Sequence, residues 1–114
     1  MGVLRIAEGH GVEFQTIKPA GFRILSALDM LAARLPYDLF ITSGTDGAHS
    51  GPTDPHKTGE AYDVRSHGLT EPQKHEVVAV LTQTLGPRFY AFLEAPGTPN
   101  EHFHVQRAKG TIYP

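Results

Sequence analysis

The feature that most limits this 114-residue chain lies at its centre. Residues 43–59, SGTDGAHSGPTDPHKTG, contain four glycines, two prolines and almost no large apolar side chain. A run of that composition forms neither a helix nor a regular strand. A loop so long in so small a domain is usually functional or disordered. The two flanking segments must therefore supply the whole core. The length suits one domain spanning residues 1–114, since domains commonly run to about 100–150 residues. An apolar share of 39% with only 19% charged residues is enough for a modest core and too weakly charged for a disordered chain.

Residues 3–17 read as one or two short strands. Pro19 can open a helix at its first turn. From there Phe22, Leu25, Leu28, Leu31, Ala32 and Leu35 recur at helical spacing and define a core-facing stripe, and Pro36 stops the helix. Residues 38–42 read as a buried strand, and residues 60–65 as another beyond the loop. Thr70 and Gln73 form the sequence signature of a capping box. The helix it opens reaches about Leu85, with Val77, Val80, Leu81 and Leu85 on one face, and Gly86-Pro87 ends it. Residues 88–94 and 101–106 read as strands joined by a short turn, which forces antiparallel pairing. The expected fold class is α+β: a small, mostly antiparallel sheet with two main helices packed on it.

Composition removes several function classes. Ten basic residues against twelve acidic ones give a formal charge of −2, so no basic excess exists to neutralise nucleic-acid phosphates. No apolar stretch approaches the ~20 residues of a membrane span. The opening residues, MGVLRIAEGHGVEF, lack the apolar region of a secretory signal. The chain has no cysteine, which excludes disulfide scaffolds, thiol catalysis and iron–sulfur clusters. It has seven histidines, five of which (His49, His56, His67, His102 and His104) lie in or beside loop-like stretches. A metal site here must be built from imidazole and carboxylate, a donor set that suits zinc or a neighbouring transition metal.

Two clusters carry chemistry: His56 with Asp63, and Glu101-His102-Phe103-His104. Zinc hydrolysis needs three protein ligands, an open position for water, and a carboxylate outside the ligand set to move the proton. His56, Asp63 and His104 can supply the ligands, and Glu101 the base. Taken singly, each has a plainer reading: an exposed loop histidine, a strand-end carboxylate, a half-buried strand histidine and a solvated hairpin glutamate. Together with Gly59 and Ala61, in this order, they point to a site. Asp54 and His49 are lesser candidate ligands. His67 and His75 read as surface residues, and Tyr62 and Tyr90 as packing residues.

The pattern H-x-x-G-x-A-x-D over residues 56–63, followed by E-x-x-H over 101–104, resembles the M15 family of zinc peptidases. That family includes D-alanyl-D-alanine carboxypeptidases, D-Ala-D-Ala dipeptidases and phage endolysins, and its fold group includes the Hedgehog signalling domain. The resemblance covers roughly residues 19–108. It implies one Zn2+ per chain, held by His56, Asp63 and His104 in a cleft over the sheet, with Glu101 as catalytic base and a peptidoglycan stem peptide as substrate. Ser43, Arg65 and His102 are then candidates for substrate contact. Phe103 stands where the family usually has Trp, and Asp54 where many members have Ser. Thr45-Asp46 follows the Ser43-Gly44 turn where the family commonly carries a substrate-binding Arg. That shifts the expectation toward internal or amidated bonds, with Arg65 and Lys57 as the cations able to substitute. Such a chain is expected to be a monomer with no nucleic-acid or membrane partner. Made in the cytoplasm, it would reach the wall after release or as part of a phage particle. The alternative is a zinc-containing binding or virion structural domain that does not cleave.

Overall fold

The computed structural model describes residues 1–47, 51 and 53–113, so His49 lies outside the described residues. The elements are β1 (Leu4–Ile6), α1 (Pro19–Arg34), β2 (Leu39–Ser43), β3 (Ala61–Arg65), α2 (Glu71–Leu85), β4 (Phe89–Glu94) and β5 (His102–Arg107). The strands form one sheet in the order β1-β2-β3-β5-β4. The β1–β2 pair is parallel and the other pairings are antiparallel. The α+β expectation is met: two helices accompany a mostly antiparallel sheet.

Each helix begins where the sequence prescribes. Pro19 occupies the first turn of α1, and its missing N–H is one that no helix start can satisfy internally. At α2 both halves of the capping box form. The Gln73 amide donates to Thr70 Oγ1 at 3.3 Å, and the Thr70 amide donates to Gln73 Oε1 at 2.8 Å.

Leu28, Leu31, Ala32 and Leu35 of the expected α1 stripe are buried and Leu25 packs against the core, but its first member is not. Phe22 is 60% exposed, whereas Ala20, Ile24, Ala27, Leu28, Leu31 and Ala32 are buried. Small residues widen the buried face toward Ala20, Ile24 and Ala27, which turns Phe22 outward. Val77, Leu81 and Leu85 of α2 are buried, while Val80 is only partly buried. Residues 7–18 carry no second strand.

The core joins both helices to Ile41, Tyr62, Val64, Phe103 and Val105. Side chains alternate across a strand. Asp63 and Arg65 of β3, and His102 and His104 of β5, therefore share the opposite face. Register pairs Asp63 with His104 and Arg65 with His102. The loop bearing His56 is seated at both ends on residues 13–18. The Thr45 amide donates to the Glu13 carbonyl at 2.8 Å and the Lys18 amide to the Gly59 carbonyl at 3.4 Å. Gly59 has φ +75°, and a Cβ there would run into the Thr16 carbonyl.

Candidate metal centre

Three imidazoles converge on one carboxylate oxygen. Asp63 Oδ1 lies 3.2 Å from His56 Nε2, 2.9 Å from His104 Nδ1 and 3.6 Å from His102 Nε2. Each imidazole faces an oxygen acceptor with its other nitrogen. His56 Nδ1 sits 2.9 Å from the Gly44 carbonyl and His102 Nδ1 2.7 Å from the Asn100 carbonyl. His104 Nε2 sits 2.8 Å from Gln106 Oε1, whose own amide nitrogen donates to the Arg107 carbonyl.

A carbonyl oxygen only accepts and so does a carboxylate, so both nitrogens of each ring face acceptors and a neutral ring has a proton for only one of them. In neutral imidazoles with the proton on the outer nitrogen, the inner nitrogens would present lone pairs to an anionic oxygen. That arrangement is unfavourable unless a proton or a metal cation lies between them. Outer carbonyls that fix the tautomer in this way are the usual surroundings of histidine ligands.

The distances from Asp63 to the three imidazoles also suit a shared cation. Arms of about 2.0–2.1 Å around a tetrahedral zinc put neighbouring donors about 3.3–3.4 Å apart. The three contacts to Asp63 straddle that value. His56 and His104 are buried, and their rings meet edge to face with centroids 5.1 Å apart. Burial would raise the Asp63 pKa, but the bonds to His104 and His56 outweigh it and hold the carboxyl below the usual range. Burial lowers the His104 pKa, yet Asp63 and Gln106 prevail and raise it.

His56, Asp63 and His104 are thus brought together, and His102 joins them. A second carboxylate oxygen, which the sequence reading missed, comes from Glu94 on β4. Its Oε1 lies 2.7 Å from His102 Nε2. Among the described residues Asp63, Glu94, His102 and His104 offer donor atoms within 4.8 Å of one another, a group that could bind a metal ion. The signal for Glu94 is positional. It stands opposite His102 in the β4–β5 register, which the hairpin length alone does not set.

Glu101 sits differently. It is 6% exposed, and its carboxylate belongs to a network with α2. Its Oε2 accepts from Ser66 Oγ at 2.6 Å and lies 2.8 Å from Lys74 Nζ, while Oε1 accepts from the Gly97 amide at 3.0 Å. Lys74, then Ser66 and Gly97, pull its pKa down to about 2. Ser43 donates to Asp46 Oδ2 at 3.2 Å. Asp54 accepts from the His56 amide at 2.9 Å, shaping the loop around that histidine.

Two clefts meet at Asp63, Asn100 and His102. One is lined by Ser43, Arg65 and Glu101, the other by His56, Glu94 and His104. Glu101 thus borders a cleft that reaches Asp63, although its carboxylate is held from the α2 side.

Compared with protein-family models, curated proteins and solved structures, the chain matches none of them.

Proposed function

We propose that this chain is a zinc metallopeptidase that hydrolyses peptide bonds in peptidoglycan stem peptides, as its resemblance to the M15 peptidases implies. The observation that supports it most is the convergence of three imidazole nitrogens on Asp63 Oδ1. His56, Asp63 and His104 are the ligands in this reading. Zinc bound there brings the acidity of water toward neutral pH and polarises a peptide carbonyl.

The chain's own groups do the rest. Gly44, Asn100 and Gln106 keep the imidazoles in the ligating tautomer. Glu101, three residues ahead of His104, takes a proton from the attacking water and returns it to the departing nitrogen. To serve so, its carboxylate must share or release the bonds to Lys74 and Ser66. The reading extends to a monomer that meets the cell wall after release or as part of a phage particle.

The Glu101–Lys74–Ser66 network favours a second reading, a zinc-binding domain that does not cleave. A carboxylate with both oxygens engaged and a strongly lowered pKa is a weak base. One experiment separates the readings. Purified protein is loaded with zinc, incubated with peptidoglycan, and the soluble fragments are weighed by mass spectrometry. New peptide termini at one bond type support the peptidase. An intact wall with one zinc per chain supports the binding domain, and a chain that takes up no zinc refutes both.

A further inference from the structure

A catalytic zinc takes three protein ligands and keeps one position open. His56, Asp63 and His104 meet that need, yet two further donors stand beside them. Glu94 Oε1 and His102 Nε2 lie 2.7 Å apart, and His102 Nε2 lies 3.6 Å from Asp63 Oδ1. Both side chains belong to the sheet face that carries Asp63, and register sets Glu94 directly opposite His102. His102 is mostly buried, with Nδ1 held 2.7 Å from the Asn100 carbonyl. Its Nε2 therefore faces two carboxylates while Nδ1 faces a carbonyl, and a neutral ring has a proton for only one side. A cation at Nε2 removes that conflict. The carboxylates have capacity for it. Among the described residues, every hydrogen bond to the Asp63 side chain reaches Oδ1 and every one to the Glu94 side chain reaches Oε1. Oδ2 and Oε2 remain as donor atoms without a hydrogen bond.

We propose that Glu94 and His102, with Asp63 as the shared ligand, form a second divalent-cation site beside the zinc. The inference rests on the zinc reading of His56, Asp63 and His104 and deepens it. A carboxylate has two oxygens and can give one to each of two ions, whereas an imidazole nitrogen serves one. Asp63 stands between the two donor sets and is the residue placed to bridge them. One imidazole with two carboxylates suits zinc or manganese. Paired ions about 3.5–4 Å apart clamp a substrate oxygen from two sides. The second site fills after the first, because Asp63 then has one oxygen already committed.

Metal stoichiometry of the full chain tests this without relying on turnover. Metal-free protein is titrated with zinc, and bound metal is measured by calorimetry and elemental analysis. In parallel, cobalt replaces zinc and is followed by electron paramagnetic resonance. The parent should bind two ions in two steps. Its cobalt signal should weaken per ion as the second step fills, because ions bridged by one carboxylate couple magnetically. Glu94→Gln and His102→Gln should each lose the second step and keep the first, with one uncoupled cobalt. Asp63→Asn should lose both steps. A parent that binds one ion would overturn the proposal and leave the zinc reading standing, whereas a parent that binds none would overturn both. A second ion that persists in Glu94→Gln and His102→Gln, with uncoupled cobalt, would place it elsewhere on the surface and likewise overturn the proposal.

Discussion

Replacing Gly59 by alanine should damage fold and metal site together. Gly59 has φ +75°, in the left-handed region, and its Cα lies against the backbone of residues 16 and 17. The backbone term for a residue with a Cβ is about 1–2 kcal/mol. The new methyl group also collides with the Thr16 carbonyl, an obstacle that cannot swing aside, which adds about 1–3 kcal/mol by the usual cost of overpacking. Gly68 supplies the control. It has φ +90°, and a Cβ there meets nothing within 4 Å, so Gly68→Ala bears only the backbone term. The difference between the two variants, about 1–3 kcal/mol, isolates the close approach. Each kcal/mol is worth roughly 4 °C in Tm at this size. Urea unfolding of both variants measures the difference directly. His56 lies three residues before Gly59, so Gly59→Ala should also weaken zinc binding while Gly68→Ala leaves it unchanged. Equal stability and equal zinc affinity for the two variants would refute the claim that this contact seats the ligand loop.

Three further outcomes are expected. Glu101→Gln should keep zinc and lower kcat by about 10²–10⁴ with little change in KM, whereas His104→Ala should lose zinc as well; a parent-like rate in Glu101→Gln would remove Glu101 from the mechanism. His56→Ala should sharply lower zinc content by elemental analysis, and full occupancy there would contradict the ligand assignment. The third concerns Glu60, whose carboxylate lies 2.6 Å from Arg107 Nε and accepts from Thr58 at 2.7 Å. Burial raises its pKa, but Arg107 and Thr58 outweigh this and leave it below the ordinary 4.5. A folded-state pKa below the unfolded one gives stability that is present above about pH 4.5 and lost as pH falls through the lowered value. Acid titration of unfolding should accordingly be shallower in Glu60→Gln than in the parent, and identical slopes would show that the pair contributes nothing.

Much of the architecture could be read from local chemistry. Pro19 and Pro36 bracket α1, and Thr70 with Gln73 begins α2, because these residues act through their own backbone neighbours. The phase of α1 was harder. Its buried face mixes Ile24, Leu28 and Leu31 with Ala20, Ala27 and Ala32, whose small side chains give a weak periodic signal beside the exposed Phe22. The convergence of His56 and His104 on Asp63 was anticipated by spacing and order. The roles of Glu94 and Lys74 were not, since both depend on tertiary placement. Glu94 reaches His102 only through the hairpin register, and Lys74 reaches Glu101 only when α2 lies against the start of β5. A search for metal-ligand spacing has no means of registering a lysine that holds the expected base.

Residues 7–18 look like the dispensable part of the chain, with no helix, no strand and mostly exposed side chains. Yet they form the floor on which the histidine loop rests. The Gln15 amide donates to Thr45 Oγ1 at 3.0 Å, the Glu13 amide donates to Asp46 Oδ1 at 3.0 Å, and the Phe14 ring lies 5.8 Å from that of Tyr62. A domain border drawn at Pro19, where helical periodicity and the family resemblance both start, would keep every proposed ligand and every core strand except β1. It would also cut away the bracket beneath both ends of the loop. A chain trimmed at that point should retain its helices while His56 loses its fixed approach to Asp63, so the working limit of the site lies well upstream of the first residue that resembles one.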